Sequence, residues 1–221
     1  MLMNFHAEWN QGEISLRIVK SSVKLLDMYD PIEAMKHIES RIRNCYKSED
    51  KSTEDSYIRM LGKMIDSHHY STLEHISFTA KFICTRACSH QIVRHRHGSY
   101  SQESQRYINY SRGKFGSEIQ VMQPPRIMTN TPEFVIWSKQ IESAEKAYLD
   151  LIKAGIKAQD ARSVLPNCAK TELDVTMNPR AWRDFFKLRC SPHAQDEIRM
   201  LAKDLLEQLC LNYYPLFGDL K

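Results

Sequence analysis

Apolar residues at helical spacing recur through most of the chain, interrupted by shorter stretches in which apolar and polar residues alternate. Behind Pro31, the positions Ile32, Ala34, Met35, Ile38 and Ile42 predict a helix to about Cys45, with the proline at its start. The polar run from Ser48 to Asp55 predicts a loop in which Ser52 or Thr53 caps a second helix, Glu54 to Ser67. Ile83, Ala87, Ile92 and Val93 predict a third helix, whose C-terminal end carries Arg94, His95 and Arg96, where the dipole favours cations. The longest pattern runs from Pro132 to Ala154 through Phe134, Ile141, Ala144 and Tyr148, and Gly155 stops it. Asp160 to Leu165 predicts a short helix closed by Pro166. Asn178 and Pro179 have the chemistry of an N-cap and a first helical residue for the segment that carries Arg180, Asp184 and Arg189. A last helix is expected from about His193 to Tyr213, with Ile198, Leu201, Leu205 and Leu209 on its packed face.

The alternating stretches predict strands. Residues 14 to 26 give one or two, Ile76 to Ile83 another, and Leu173 to Met177 another. After Gly98 the chain is expected to be extended, and Ile108 to Gln123, with Gly113 and Gly116, reads as a loop with a short strand. The expected architecture is α+β: a single mixed domain over residues 1–221, with a central antiparallel-type sheet flanked by long helices.

Composition narrows the class. An apolar content of 42% and a charged content of 26% belong to an ordinary soluble globular protein, and 221 residues suffice for one sizeable core. No apolar run is long enough to cross a bilayer, and the start of the chain, with His6, Glu8 and Glu13, lacks the basic and apolar regions of a secretory signal, so no membrane partner and a cytoplasmic location are expected. The six cysteines include no CxxC pair and read as reduced thiols. His69, Glu74 and His75 match no zinc spacing, so no metal is expected. The seven glycines form neither a GxGxxG nor a P-loop pattern, which excludes a dinucleotide fingerprint of the Rossmann type.

Candidate chemistry concentrates between Arg94 and Tyr107, where three arginines, two histidines and three serines stand without a lysine. Arginine is the residue for planar, bidentate recognition. In an extended chain, period two places Gln102, Ser104 and Arg106 on one side, a set suited to a phosphate and a planar polar ring. A different class of reading is a single-stranded RNA-binding module, with Arg94, Arg96, Arg106 and Arg112 interleaved with Tyr100, Tyr107 and Tyr110. A net charge of +4, with both signs interleaved, does not demand nucleic acid, and no nucleic-acid partner is expected.

Arg94-His95-Arg96, then Ser99, Ser104 and Arg106-Tyr107, resemble the signature of flavin-dependent thymidylate synthases. Three further segments agree in order: His69-x-Ser71-x-x-Glu74-His75, Ala161-Arg162-x-x-Leu165-Pro166, and Asn178-x-Arg180 followed by Leu188-Arg189 and His193-Ala194-Gln195. The resemblance implies reductive methylation of dUMP to dTMP, with methylenetetrahydrofolate as carbon donor and NADPH reducing a bound FAD. It implies homotetramers whose sites are built by several subunits. By the same resemblance, Arg189 activates the uracil ring, and His69 sits near the flavin on the folate and nicotinamide side. Ser71, Arg94, His95, Arg96, Gln102, Asn178, Arg180, Asp184 and His193 are the positions for FAD. Gln91, Arg94, Gln102, Glu103, Ser104, Gln105, Arg106, Arg162 and Arg189 are those for the nucleotide, with backbone amides near Glu103 and Gln105 contributing. Many members have Asn-Glu where this chain has Ser101-Gln102, and Asp184 stands where an asparagine is expected. Cys190, beside Arg189, is expected to pack rather than act as a nucleophile, and His75 to pair with Glu74.

Overall fold

The computed structural model describes residues 16–27, 29–113 and 118–221. Ile14 and Ser15 of the first expected strand, Gly116 of the expected loop and the start of the chain lie outside these residues.

Six strands are described: β1 (Arg17–Ile18), β2 (Ser22–Asp27), β3 (Phe78–Thr85), β4 (Gly98–Gln102), β5 (Gln120–Val121) and β6 (Lys170–Met177). Four of them form an antiparallel sheet in the order β2-β3-β6-β4, while β1 and β5 pair in parallel at one side. The register sets Phe78 against Met177, Ala80 against Val175 and Phe82 against Leu173, so one face of the sheet is mainly apolar. The other face carries Thr79, Lys81, Glu172, Asp174 and Thr176, the alternation expected where only one face is covered.

The helices are α1 (Pro31–Tyr46), α2 (Ser56–Asp66), α3 (Arg86–Ile92), α4 (Pro132–Lys153), α5 (Ala158–Ala161), α6 (Pro179–Arg189) and α7 (Asp196–Phe217). α1, α2, α6 and α7 bury their apolar stripes with the covered face of the sheet in the main core, where Trp182, Phe185 and Phe186 pack against Phe82 and one another. A second, smaller core joins α4 to the β1–β5 pair through Tyr148, Ile141, Val121, Ile119 and Tyr110. No helix among the described residues is long and apolar enough to cross a membrane.

Several boundaries differ from expectation. β3 runs to Thr85 because its alternation continues in register with Lys170–Glu172, so the third helix is only Arg86–Ile92 and does not begin at Ile83. Arg94 to Arg96 therefore lie in a bend beyond the helix. α2 begins at Ser56, and neither Ser52 nor Thr53 caps it; instead the Ser56 hydroxyl donates to the Thr53 carbonyl and to Glu39. β4 ends at Gln102, and residues 105–107 form a turn, so Ser104 and Arg106 do not continue a strand face. α7 starts at Asp196, leaving His193 in the preceding turn, and continues to Phe217 across a kink at Tyr213, two residues before Pro215.

Candidate active site

The first cluster forms where α3 and α6 meet. The Thr85 hydroxyl caps α3 by accepting from the Cys88 amide at 3.0 Å, and the short helix carries Gln91 forward. The chain then bends, and the Tyr100 hydroxyl, donating to the His95 carbonyl at 2.6 Å, fixes the bend. Close approach of β4 to β6 makes this possible, since a Cβ at Gly98 would lie 2.9 Å from Met177 Cγ. α6, capped by Asn178 Oδ1 accepting from the Ala181 amide at 2.9 Å, brings Arg189 to the same place. Arg189 Nε donates to His95 Nε2 at 2.9 Å, and its two terminal nitrogens reach the Gln91 carbonyl at 3.1 Å and Gln91 Oε1 at 3.5 Å. Gln91 Nε2 in turn donates to Gln195 Oε1.

Among the described residues, no carboxylate shares this cluster as a hydrogen-bond partner. Burial shifts Arg189 below the ordinary arginine value, though a guanidinium remains charged at neutral pH. His95 is lowered to about 4, by burial first and then by the Arg189 charge, with Asp184 acting in the opposite sense. Because Arg189 donates to Nε2, the ring is neutral and carries its proton on Nδ1. An unfolded chain returns the imidazole to about 6.5. As pH falls between these values the unfolded state binds a proton that the folded state does not, so the His95 contribution to stability, full above about 6.5, is lost toward pH 4. Nitrogen NMR is expected to show His95 neutral down to about pH 4, and Arg189→Ala to raise its titration midpoint. A midpoint near 6.5 in the parent protein would contradict this pairing.

A second cluster lies at α5. Arg106 Nε donates to Gln159 Oε1 at 3.4 Å and Arg162 Nε to the Gln159 carbonyl at 3.0 Å, so two exposed guanidiniums converge on one residue. Neither forms an ion pair with a carboxylate among the described residues. Ser104 Oγ accepts from the Arg106 amide at 3.3 Å, and Gln105 sits in the turn between them.

A third group surrounds the 3₁₀ turn Tyr70–His75. His69 and Ser71 line a cavity of about 360 Å³ together with Tyr46, Met60, Lys63 and Met64 from α1 and α2. Arg180 pairs with Glu74 at 2.7 Å, so Glu74 does not pair with His75 as expected; the longer reach from α6 supplies a stronger, charged partner. Among the described residues, no group of three or more histidines, cysteines or acidic residues gathers to hold a metal ion.

Other expected site residues are placed differently. Gln102 shares the inward phase of β4 with Tyr100, and its amide donates to Ser89 Oγ at 2.8 Å and Thr171 Oγ1 at 3.2 Å, beneath the sheet rather than at an open site. The Glu103 carboxylate is buried against Lys170 at 3.1 Å and the Tyr110 hydroxyl at 3.1 Å. Its amide donates to the Glu172 carbonyl at 2.9 Å, so the Glu103 backbone N–H is not available to a phosphate. Arg94, Arg96, Asp184 and His193 are exposed. Burial raises the Cys190 pKa, which keeps the thiol protonated and unlike an activated nucleophile. Tyr110 is buried in the second core and Tyr100 is tied to the bend, leaving Tyr107, 77% exposed, as an open ring; the expected stacking row for single strands is not formed. Sequence reasoning did not single out Gln159, although it stands two residues before the Ala161-Arg162 motif.

Comparison with known proteins adds a family. The model described as thymidylate synthase complementing protein matches residues 24–213. A flavin-dependent thymidylate synthase of Geobacter sulfurreducens is 39% identical over 171 residues, covering 74% of this chain and 72% of its own. One of Mycolicibacterium vanbaalenii is 37% identical over 199 residues, with coverages of 80% and 76%. The solved structure of a UMP/dUMP methylase, PolB from Streptomyces cacaoi bound with 5-Br dUMP, superposes with a TM-score of 0.74 at 23% identity, over 92% of this chain and 95% of that one.

Proposed function

The chain belongs to the flavin-dependent thymidylate synthase family, and from that membership we propose that it methylates dUMP to dTMP reductively, with methylenetetrahydrofolate as carbon donor and NADPH as reductant. It is a flavoprotein and a methyltransferase. The observation that carries the substrate reading is the Arg189 cluster: a half-buried guanidinium held by Gln91 and a neutral His95.

Uracil C5 is a weak nucleophile until charge is pushed into the ring, and a guanidinium at the N3/O4 edge stabilises that charge in a site shielded from water. Arg189 takes this role, with Gln91 beside it as a hydrogen-bonding partner for the base. Arg106 and Arg162, converging on Gln159 with Ser104 next to them, hold the nucleotide phosphate. The methylene carbon would bond to C5 as its bond to the folate nitrogen breaks and tetrahydrofolate departs, and the C5 proton would leave, while these contacts keep the ring oriented.

The residues expected at FAD fit a dinucleotide in their donor chemistry. Arg94 and Arg96 are exposed, and among the described residues neither is paired with a carboxylate, which suits a diphosphate. Ser71 and His69 open on a cavity at the lower end of the usual range for ligand pockets, enough for a ring system. Asn178 spends only its oxygen on the α6 cap, so its amide donors remain for a ligand. Held by these residues, a reduced flavin would supply the hydride that completes the methyl group. The three clusters are not joined to one another by ion pairs among the described residues, and large apolar side chains such as Ile136, Leu188, Leu211 and Tyr214 are exposed. The exposed apolar side chains support a homotetramer in which neighbouring subunits complete each site.

Anaerobic absorption spectra with added FAD, then dUMP and NADPH, test this reading. The expected result is bound oxidised flavin that NADPH bleaches, followed by dTMP formation on adding methylenetetrahydrofolate. Absence of flavin binding at any FAD concentration, with salt-sensitive oligonucleotide binding in its place, would overturn it.

A further inference from the structure

Helix α6 has a second set of contacts that the chemistry above does not use. Arg180, Arg183 and Lys187 recur at helical spacing on the side facing the turn Tyr70–His75, while Phe185 and Arg189 face His95. Arg183 is the deepest of them, with only 1% of its side chain exposed. Its Nη1 donates to Asp219 Oδ1 at 2.6 Å and to the Leu216 carbonyl at 2.6 Å, and its Nη2 donates to Asp219 Oδ2 at 2.5 Å. This is a bidentate fork that fixes both the position and the plane of the guanidinium.

Tyr70 packs against the same guanidinium. Its ring centroid lies 5.0 Å from the Arg183 guanidinium carbon and 5.2 Å from Lys187 Nζ, and its hydroxyl is 3.5 Å from Arg183 Nη2. The same hydroxyl is 2.8 Å from His68 Nδ1. Tyr70 stands between His69 and Ser71, which open on the cavity described above. A short chain of contacts thus runs from the 3₁₀ turn Gly218–Leu220 through a buried cation to the two residues assigned to the flavin side.

We infer that Arg183 and Tyr70 are positioning residues, and that Asp219, by orienting Arg183, sets the place of His69 and Ser71. The inference rests on the flavin reading of those two residues, but its geometry does not. Arg183 is enclosed by protein partners, and a cation–π contact that is shielded from water is stronger than one on an open surface. Holding the ring of Tyr70 therefore restrains the backbone of both its neighbours.

Hydrogen exchange on the full-length protein tests the positioning directly. Asp219→Asn keeps the shape of the side chain but removes its charge; Tyr70→Phe is the milder variant, keeping the ring and losing only the hydroxyl. In both, exchange of residues 69–75 is expected to rise, while residues 98–102 of β4 keep their protection. FAD affinity is expected to fall about tenfold in Asp219→Asn, the weight of one charge-assisted hydrogen bond. Affinity for dUMP should stay within about twofold, because Arg106 and Arg162 lie on another element. Asp219→Glu, which retains the carboxylate, should recover part of the loss. Unchanged exchange of residues 69–75 in folded Asp219→Asn and Tyr70→Phe would overturn the inference. A rise in exchange with FAD affinity unaltered would uphold the positioning and remove Ser71 from the flavin site.

Discussion

Arg189→Ala is expected to lower the rate of dTMP formation by about a hundred- to a thousandfold, the usual weight of one preorganised electrostatic donor, with flavin still bound and the fold intact. The selectivity of this loss follows from the partners of Arg189. Its three donors go to His95 Nε2, the Gln91 carbonyl and Gln91 Oε1, all on the bend or on α3, and none goes to a buried carboxylate. Truncation therefore strands no opposite charge, and the acceptors left behind are near enough to the surface to take water. Arg189→Lys is expected to recover little, because an ammonium cannot occupy Nε and both terminal positions at once. Turnover, flavin absorbance and thermal midpoint measured on the same preparations separate the catalytic from the structural effect. A variant with near-parental turnover would remove Arg189 from the activating role.

Elements with local punctuation were legible in the chain. Pro31, Pro132 and Pro179 each follow a residue whose side chain caps the helix: Asp30 accepts from Glu33, Thr131 from Phe134, and Asn178 from Ala181. A cap involves neighbours three residues away, so it can be read from the residues themselves. The expected helix from Ile83 failed because its first residues are claimed by β6, more than eighty positions later, and a distant pairing overrides local spacing.

The same division runs through the site. The motifs located most of the residues that now stand in three clusters, because their identities are carried in short segments. Which residue meets which was not legible. The inward turn of Gln102 depends on the β4–β6 register, and the burial of Glu103 depends on Lys170 across the sheet. The His95 ring is bonded to Arg189 from a helix far along the chain, a pairing that neither short segment carries. Side-chain direction in a sheet follows a period of two, so one residue of register decides whether a polar group faces ligand or core.

The largest loss of stability is expected at a residue outside the reaction. Glu197 lies in the first turn of α7, where the helix dipole favours a carboxylate, and is only 6% exposed. Its Oε1 accepts from the Thr85 amide at 2.8 Å and from the Ser21 hydroxyl at 2.9 Å, and its Oε2 accepts from the Thr85 hydroxyl at 2.6 Å. Thr85 is where β3 ends and α3 begins, so Glu197 ties three elements at the point from which Gln91 and the His95 bend are aimed. Glu197→Ala leaves a buried amide without its acceptor and removes the partner of the α3 cap, a loss of about 3 kcal/mol. In a chain of this size that corresponds to a drop in thermal midpoint of roughly 6–12 °C. Glu197→Gln retains one acceptor oxygen and is expected to lose about 1 kcal/mol. Turnover should fall with stability in the alanine variant even below its melting range, because α3 is no longer held in direction. Thermal and urea unfolding measure the first effect, and a midpoint within about 2 °C of the parent in Glu197→Ala would show that α3 is anchored elsewhere.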